Sequence, residues 1–319
     1  MRLLRVELIR LFSRRACVVL LAVGTIGVGL ISWAYLESHS PPSATEVAFA
    51  TRMVEREANS PRVARSIARC EAGKGGYVPD FNCEKLRPTA EDFMYVPKMT
   101  LTGQESGELT LPIVFLLAVM ALLVGATYIG GDWSAGTVST LLLFESRRGR
   151  VWLAKASALF AGTAVLAAVV LAAALAVAVA FGVRWDVLTA TDGLAGDLTM
   201  ATLRAAVLVG LAALSGFAVV MALRFTAAAL GVVLAYTLVG EALLRNFWDG
   251  SEAYLLSNHV FAVLLGKWRT EVWPTSCPAG DCRPQMFHFT ATPSSLYLAG
   301  LTAVSLAISY AVFARRDVA

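Results

Sequence analysis

Apolar positions in this chain come in long blocks and not in the short alternations of a soluble fold. Five blocks run uninterrupted through approximately Ala16–Tyr35, Leu111–Gly131, Ala156–Val183, Ala205–Leu223 and Ser294–Phe313. A bilayer core of about 30 Å takes about 20 apolar residues as a helix, so each block predicts one membrane span. A sixth block, Phe225–Leu244, is apolar but for Glu241. Arg224 alone parts it from its predecessor, which predicts a tight antiparallel hairpin. Composition agrees: 57% of the 319 residues are hydrophobic and 16% charged, against about a quarter charged in a soluble domain. The reading is an all-α polytopic membrane protein with six transmembrane helices.

Charge sets the orientation, because short loops rich in Lys and Arg stay in the cytoplasm. With both termini inside, the inner segments hold twelve basic residues (Arg2, Arg5, Arg10, Arg14, Arg15, Arg147, Arg148, Arg150, Lys155, Arg224, Arg315 and Arg316) against Glu7, Asp132, Glu145 and Asp317. The outer segments hold the other fifteen against eighteen acids. The net +4 is small for the length and gathers at membrane edges, so nucleic-acid binding has no support. The leader contains Glu7 and places Leu4, Leu8, Leu11 and Phe12 at helical spacing, which predicts an amphipathic helix over 1–15 in the inner interface. A secretory signal is the competing reading, with a poor cleavage site at Ser32–Ala34.

The predicted order is an interfacial helix at 1–15, spans at 16–35, 111–131, 156–183, 205–223, 225–244 and 294–313, and a cytoplasmic tail at 314–319. A large, partly helical outer loop occupies 36–110, a cytoplasmic loop 132–155, and a second outer loop 245–293. In that second loop the apolar stretch ending at Trp268 is too short to span, and Trp248 and Trp268 bound it, so it predicts a helix dipping into the outer interface.

Cys17 lies in the first apolar block, while Cys70 and Cys83 share one outer loop and Cys277 and Cys282 the other. Even numbers outside suit disulfides in an oxidising compartment. Of the three possible pairings, the sequence-local one (Cys70–Cys83 and Cys277–Cys282) is favoured. Their spacings are poor for a four-cysteine zinc site, so no metal is expected.

No catalytic set stands out. His259 and His288 lack metal-ligand spacing and read as surface polar groups. Ser215 has no His or Lys partner in a neighbouring block, and the small residues Gly210 and Gly216 beside it read as close helix packing. No phosphate-binding loop is present, so any ATP must be bound by another chain. Glu241, the one acid inside a predicted span, has two readings: a functional group with Tyr236 and Thr237 on neighbouring turns, or a structural pair with Arg245 four residues on.

The polar segment Gly130–Lys155 has a recognisable pattern. An acid (Asp132), a Gly136-Thr137 pair, the apolar run to Phe144, then Glu145, the group Ser146-Arg147-Arg148, and Lys155 at the next helix follow in order. This resembles the cytoplasmic loop between the second and third helices of ABC-2 type transporter permeases, and the basic leader, the spans and the closing Arg315-Arg316-Asp317 resemble the family layout. The resemblance implies a coupling helix that docks into a groove of a separate ATPase subunit. Leu141, Leu142, Leu143 and Phe144 would bury in that groove, while Arg147 and Arg148 orient against acidic rims.

The resemblance further implies a non-catalytic plasma-membrane subunit, two permeases with two ATPase chains carrying ATP and Mg, surrounding lipid, and no cofactor on this chain. An exporter of an amphipathic substrate is expected, with the path at the dimer interface near Glu241, Tyr236 and Thr237. The alternative class is a membrane-anchored sensor or assembly scaffold using the outer loops. A secondary transporter is disfavoured by the lack of paired intramembrane charges.

Overall fold

A computed structural model describes residues 2–73, 81–94, 98–101, 107–189, 192–248, 250–272 and 284–315. It is mostly helical: α1 (Arg2–Ser13), α2 (Arg15–Ser38), α3 (Ala44–Ala58), α4 (Pro61–Glu71), α5 (Gly107–Ser134), α6 (Thr137–Phe144), α7 (Arg148–Arg184), α8 (Leu194–Leu223), α9 (Thr226–Ala235), α10 (Glu241–Phe247), α11 (Leu256–Leu265) and α12 (Ala291–Arg315). Between α11 and α12 lie two antiparallel strands, β1 (Lys267–Val272) and β2 (Gln285–Thr290), with Lys267 opposite Thr290.

Five helices, α2, α5, α7, α8 and α12, are long and apolar enough to cross a membrane. The expected sixth span at 225–244 is continuous helix from Thr226 to Phe247, with a π turn over Tyr236–Gly240 joining α9 to α10. A π turn widens the hydrogen-bonding ring and is tolerated where neighbours hold the local backbone. Helices also outrun their apolar blocks, since α7 starts at Arg148 and α8 at Leu194. Hydropathy marks the part that lipid can cover, whereas helix ends are set by local caps and turns.

The chain divides into two compact units, Met1–Ala34, Thr100–Ala178 and Ala190–Ala319 forming the first, Tyr35–Met99 and Val179–Thr189 the second. In the first, α5 and α8 pack backbone to backbone. A Cβ on Gly125 would run into the Ala213 carbonyl, and one on Gly216 into the Leu122 carbonyl. Small residues permit such an approach, which is how helices gain contact where lipid offers no hydrophobic drive. Gly210 receives the Phe160 ring of α7 instead.

In the second unit, α3 starts at a capping box in which Ser43 and Glu46 exchange bonds to each other's backbone N–H. Ser60 caps α4, with Pro61 at its first position. The Cys70–Cys83 disulfide forms, with the two Cα atoms 5.8 Å apart. Cys277 and Cys282, the other expected pair, lie outside the described residues.

Candidate functional site

The segment between α5 and α7 is mostly helix, and its sequence explains each break. Gly136 has φ of +65°, a left-handed conformation that glycine adopts at no steric cost, and this turns the chain from α5 into α6. The Thr137 hydroxyl then donates to the Asp132 carboxylate at 2.9 Å and to the Asp132 carbonyl at 3.0 Å. The acid and the Gly-Thr pair are therefore one device that fixes the start of α6. Its far end closes where the Glu145 N–H donates to the Leu141 carbonyl and the Glu145 side chain accepts from the Arg147 N–H.

Val138 packs inward, while Leu143 and Phe144 are 85% and 86% exposed. Leu141, Leu142 and Glu145 are half-buried, and Ser146 and Arg147 exposed. Of the four residues expected to dock, Leu141 to Phe144, the structure exposes Leu143 and Phe144 most. Arg148 is engaged elsewhere: its guanidinium donates to the last carbonyls of α12, Ala314 at 3.1 Å and Phe313 at 3.4 Å. Cations at a helix C-terminus satisfy carbonyls that have no partner in the helix.

Beneath α6 lies a buried charged cluster. Lys155 Nζ bridges two carboxylates, Asp132 Oδ2 at 2.7 Å and Glu7 Oε2 at 2.9 Å. Arg14 pairs with the other Asp132 oxygen and donates to the Tyr128 carbonyl at 2.6 Å. The Tyr128 hydroxyl donates to Glu7, and Lys155 stands 5.2 Å from the Tyr128 ring centre. Glu7, Tyr128, Asp132 and Lys155 are all buried. Charges taken from water are tolerable only when paired and hydrogen-bonded, and here two carboxylates meet three cations, Lys155, Arg14 and Arg10, the last 3.2 Å from Glu7. The cluster thereby ties α1, α5, α7 and the start of α6 together. Asp132 and Lys155 were legible in the sequence pattern; Glu7, Arg14 and Tyr128 were not assigned to it. The one signal for Glu7 was a lone acid in a leader of five arginines.

A second contact joins the same end of α5 to its neighbours. Arg224, left-handed at the end of α8, stacks 4.3 Å over the Trp133 ring, which meets Phe313 of α12 edge-on. Both ends of α6 thus lean on α12, through Trp133 before it and Arg148 after it.

Glu241 does not make the structural pair that the sequence offered. It is partly exposed, and it accepts the Ser257 N–H at 3.0 Å, capping the start of α11. The expected Glu241–Arg245 pair is absent, because Arg245 instead binds Glu252 at 3.0 Å. Glu252 is the more deeply buried acid and needs the cation more. It also accepts from Asn258, which accepts in turn from the Trp268 indole. Tyr236 and Thr237 lie in the π turn one turn before Glu241, with Tyr236 partly exposed.

His259 corrects another expectation. It is buried, stacked on Tyr297 at 4.0 Å and edge-on to Phe289. A neutral ring with its proton on Nε2 donates to the Ala253 carbonyl at 3.0 Å and accepts from Ser294 at 3.2 Å. Burial holds its pKa below the ordinary histidine value. His288 is exposed on β2 as expected. Among the described residues, no group of His, Cys, Asp or Glu could hold a metal ion.

Long apolar helices define a multi-pass membrane protein, and a short helix on a buried ionic base carries exposed apolar residues. Residues 7–318 match the family described as ABC-2 family transporter protein, and the chain belongs to that family. It is the non-catalytic membrane subunit of a transporter. A search of curated proteins returns no match.

Proposed function

We propose that this chain is the permease of an ATP-driven exporter in the plasma membrane, and that α6 is its coupling helix. Two such chains would work with two ATPase subunits that carry ATP and Mg. The sixth span is the α9–α10 segment with its π turn, and both termini and α6 face the cytoplasm.

One observation supports the coupling assignment above the rest. Leu143 and Phe144 project from a short helix whose base is locked by buried ion pairs. Exposed apolar side chains on a fixed support suit a partner's groove, and a rigid base passes a push from the partner to the helices. Through Asp132 and Lys155 that push reaches α1, α5 and α7, and through Trp133 and Arg148 it reaches α8 and α12. Glu241, Tyr236 and Thr237 remain the proposed edge of a path for an amphipathic substrate.

The test is the double variant Leu143→Asp with Phe144→Asp, purified with its ATPase subunit. Loss of the ATPase chain, or of permease-dependent ATP hydrolysis, is expected while the permease itself stays folded. Normal assembly and turnover would remove α6 from the coupling pathway.

A further inference from the structure

The helix α4 is sharply two-sided. At about 100° per residue, Arg62, Arg65 and Arg69 fall within an arc of about 60°. All three are exposed, whereas Val63, Ile67 and Cys70 occupy another side and are partly or fully buried. Arginines three and four apart repel across a helix surface and weaken it. An acid at a neighbouring position would relieve this, yet those places hold Ala58, Asn59, Pro61, Ser66, Ala68, Ala72 and Gly73.

Two of the three side chains share a posture. Arg65 Nε donates to the Pro61 carbonyl at 2.9 Å and Arg69 Nε to the Arg65 carbonyl at 3.4 Å. Each bond lays the guanidinium along its own helix and leaves the Nη donors without a partner among the described residues. Among the described residues, no carboxylate pairs with any of the three. The helix itself is held at both ends, by the Ser60 cap and by the Cys70–Cys83 disulfide. A row of pre-placed forks without counter-charge matches the planar, bidentate recognition of phosphate.

A chain with five helices able to cross a membrane is surrounded by lipid phosphates. The same unit contains the last turns of two long apolar helices, α2 from Tyr35 and α7 from Val179. It also contains Trp185, with Arg184 at 5.4 Å over its ring, a combination typical of the headgroup level. We propose that Arg62, Arg65 and Arg69 form a binding surface for the phosphates of anionic lipid headgroups. This holds whichever leaflet the unit faces, and it does not depend on α6 being a coupling helix.

The experiment places the whole oxidised chain in nanodiscs of phosphatidylcholine alone or mixed with phosphatidylglycerol, and follows hydrogen exchange over residues 61–71. Phosphatidylglycerol should slow exchange there several-fold, and added salt should reverse it. The triple variant Arg62→Gln, Arg65→Gln, Arg69→Gln should lose the effect with the disulfide intact. The triple Lys variant should recover only part of it, because an ammonium lacks the fork. The single Arg65→Gln should show partial loss, which keeps the test valid if the triple variant misfolds. No protection by phosphatidylglycerol, or protection unchanged in these Gln variants, would overturn the proposal. So would protection by soluble polyphosphate without any by the lipid.

Discussion

At the scale of single residues, Lys155 carries the sharpest expectation. Replacing it with Met leaves Glu7 and Asp132 buried with less counter-charge, a loss worth about 3–5 kcal/mol. The purified Lys155→Met chain should melt well below the parent in the same detergent, and an unchanged melt would mean that the cluster is hydrated and weak. His259 gives a pH dependence with a defined sign. Its folded pKa is depressed, so the unfolded chain binds the proton more readily. The stabilisation is fully present above the unfolded value of about 6.5 and fades as pH falls through the folded value. Thermal stability should therefore drop between about pH 7 and pH 5, and His259→Phe should flatten that slope. An equal slope in the variant would point to other groups. Asp132, Thr137 and Lys155 stand out in sequence as parts of one short motif, but their joining in a buried cluster does not. Glu7 and Arg14 do not stand out, since their bonds to Lys155 and Asp132 cross 148 and 118 residues.

At the scale of elements, the α5–α8 contact depends on glycine. Gly216→Val would force the Leu122 carbonyl away, and Gly125→Val the Ala213 carbonyl. Either variant should separate two helices that hold the centre of the first unit. Overpacking of this kind costs about 1–3 kcal/mol or more. Lower yield of folded protein and an earlier melt are expected, whereas Gly300→Ala, with open space around it, should change little. The five spans were legible because lipid imposes one rule, length and apolarity, on each. The π turn between α9 and α10 was not, because Tyr236–Gly240 reads as ordinary apolar helix. Likewise the Gly136-Thr137 pair is visible as a motif, but its reason, a left-handed turn closed by a hydroxyl on Asp132, lies in the fold.

At the scale of the molecule, the disulfide and the ionic cluster stabilise different units. The Cys70–Cys83 bond closes a loop of 13 residues, for which chain-entropy arguments give about 3 kcal/mol. Reduction should raise hydrogen exchange over α3 and α4 while α5 and α8 stay protected. Loosening of both sets would show that the units unfold together. The cluster has a further consequence for how the chain is made. Glu7 leaves the ribosome early, but Lys155 lies 148 residues behind it, roughly 7–30 s at ordinary synthesis rates. Until then α1 has no place to bury its acid, and the leader must wait in water or at the lipid surface. The N-terminal helix is therefore among the first segments synthesised and among the last to dock, so a nascent chain stopped before α7 should carry a protease-accessible N-terminus, and one stopped after it a protected one.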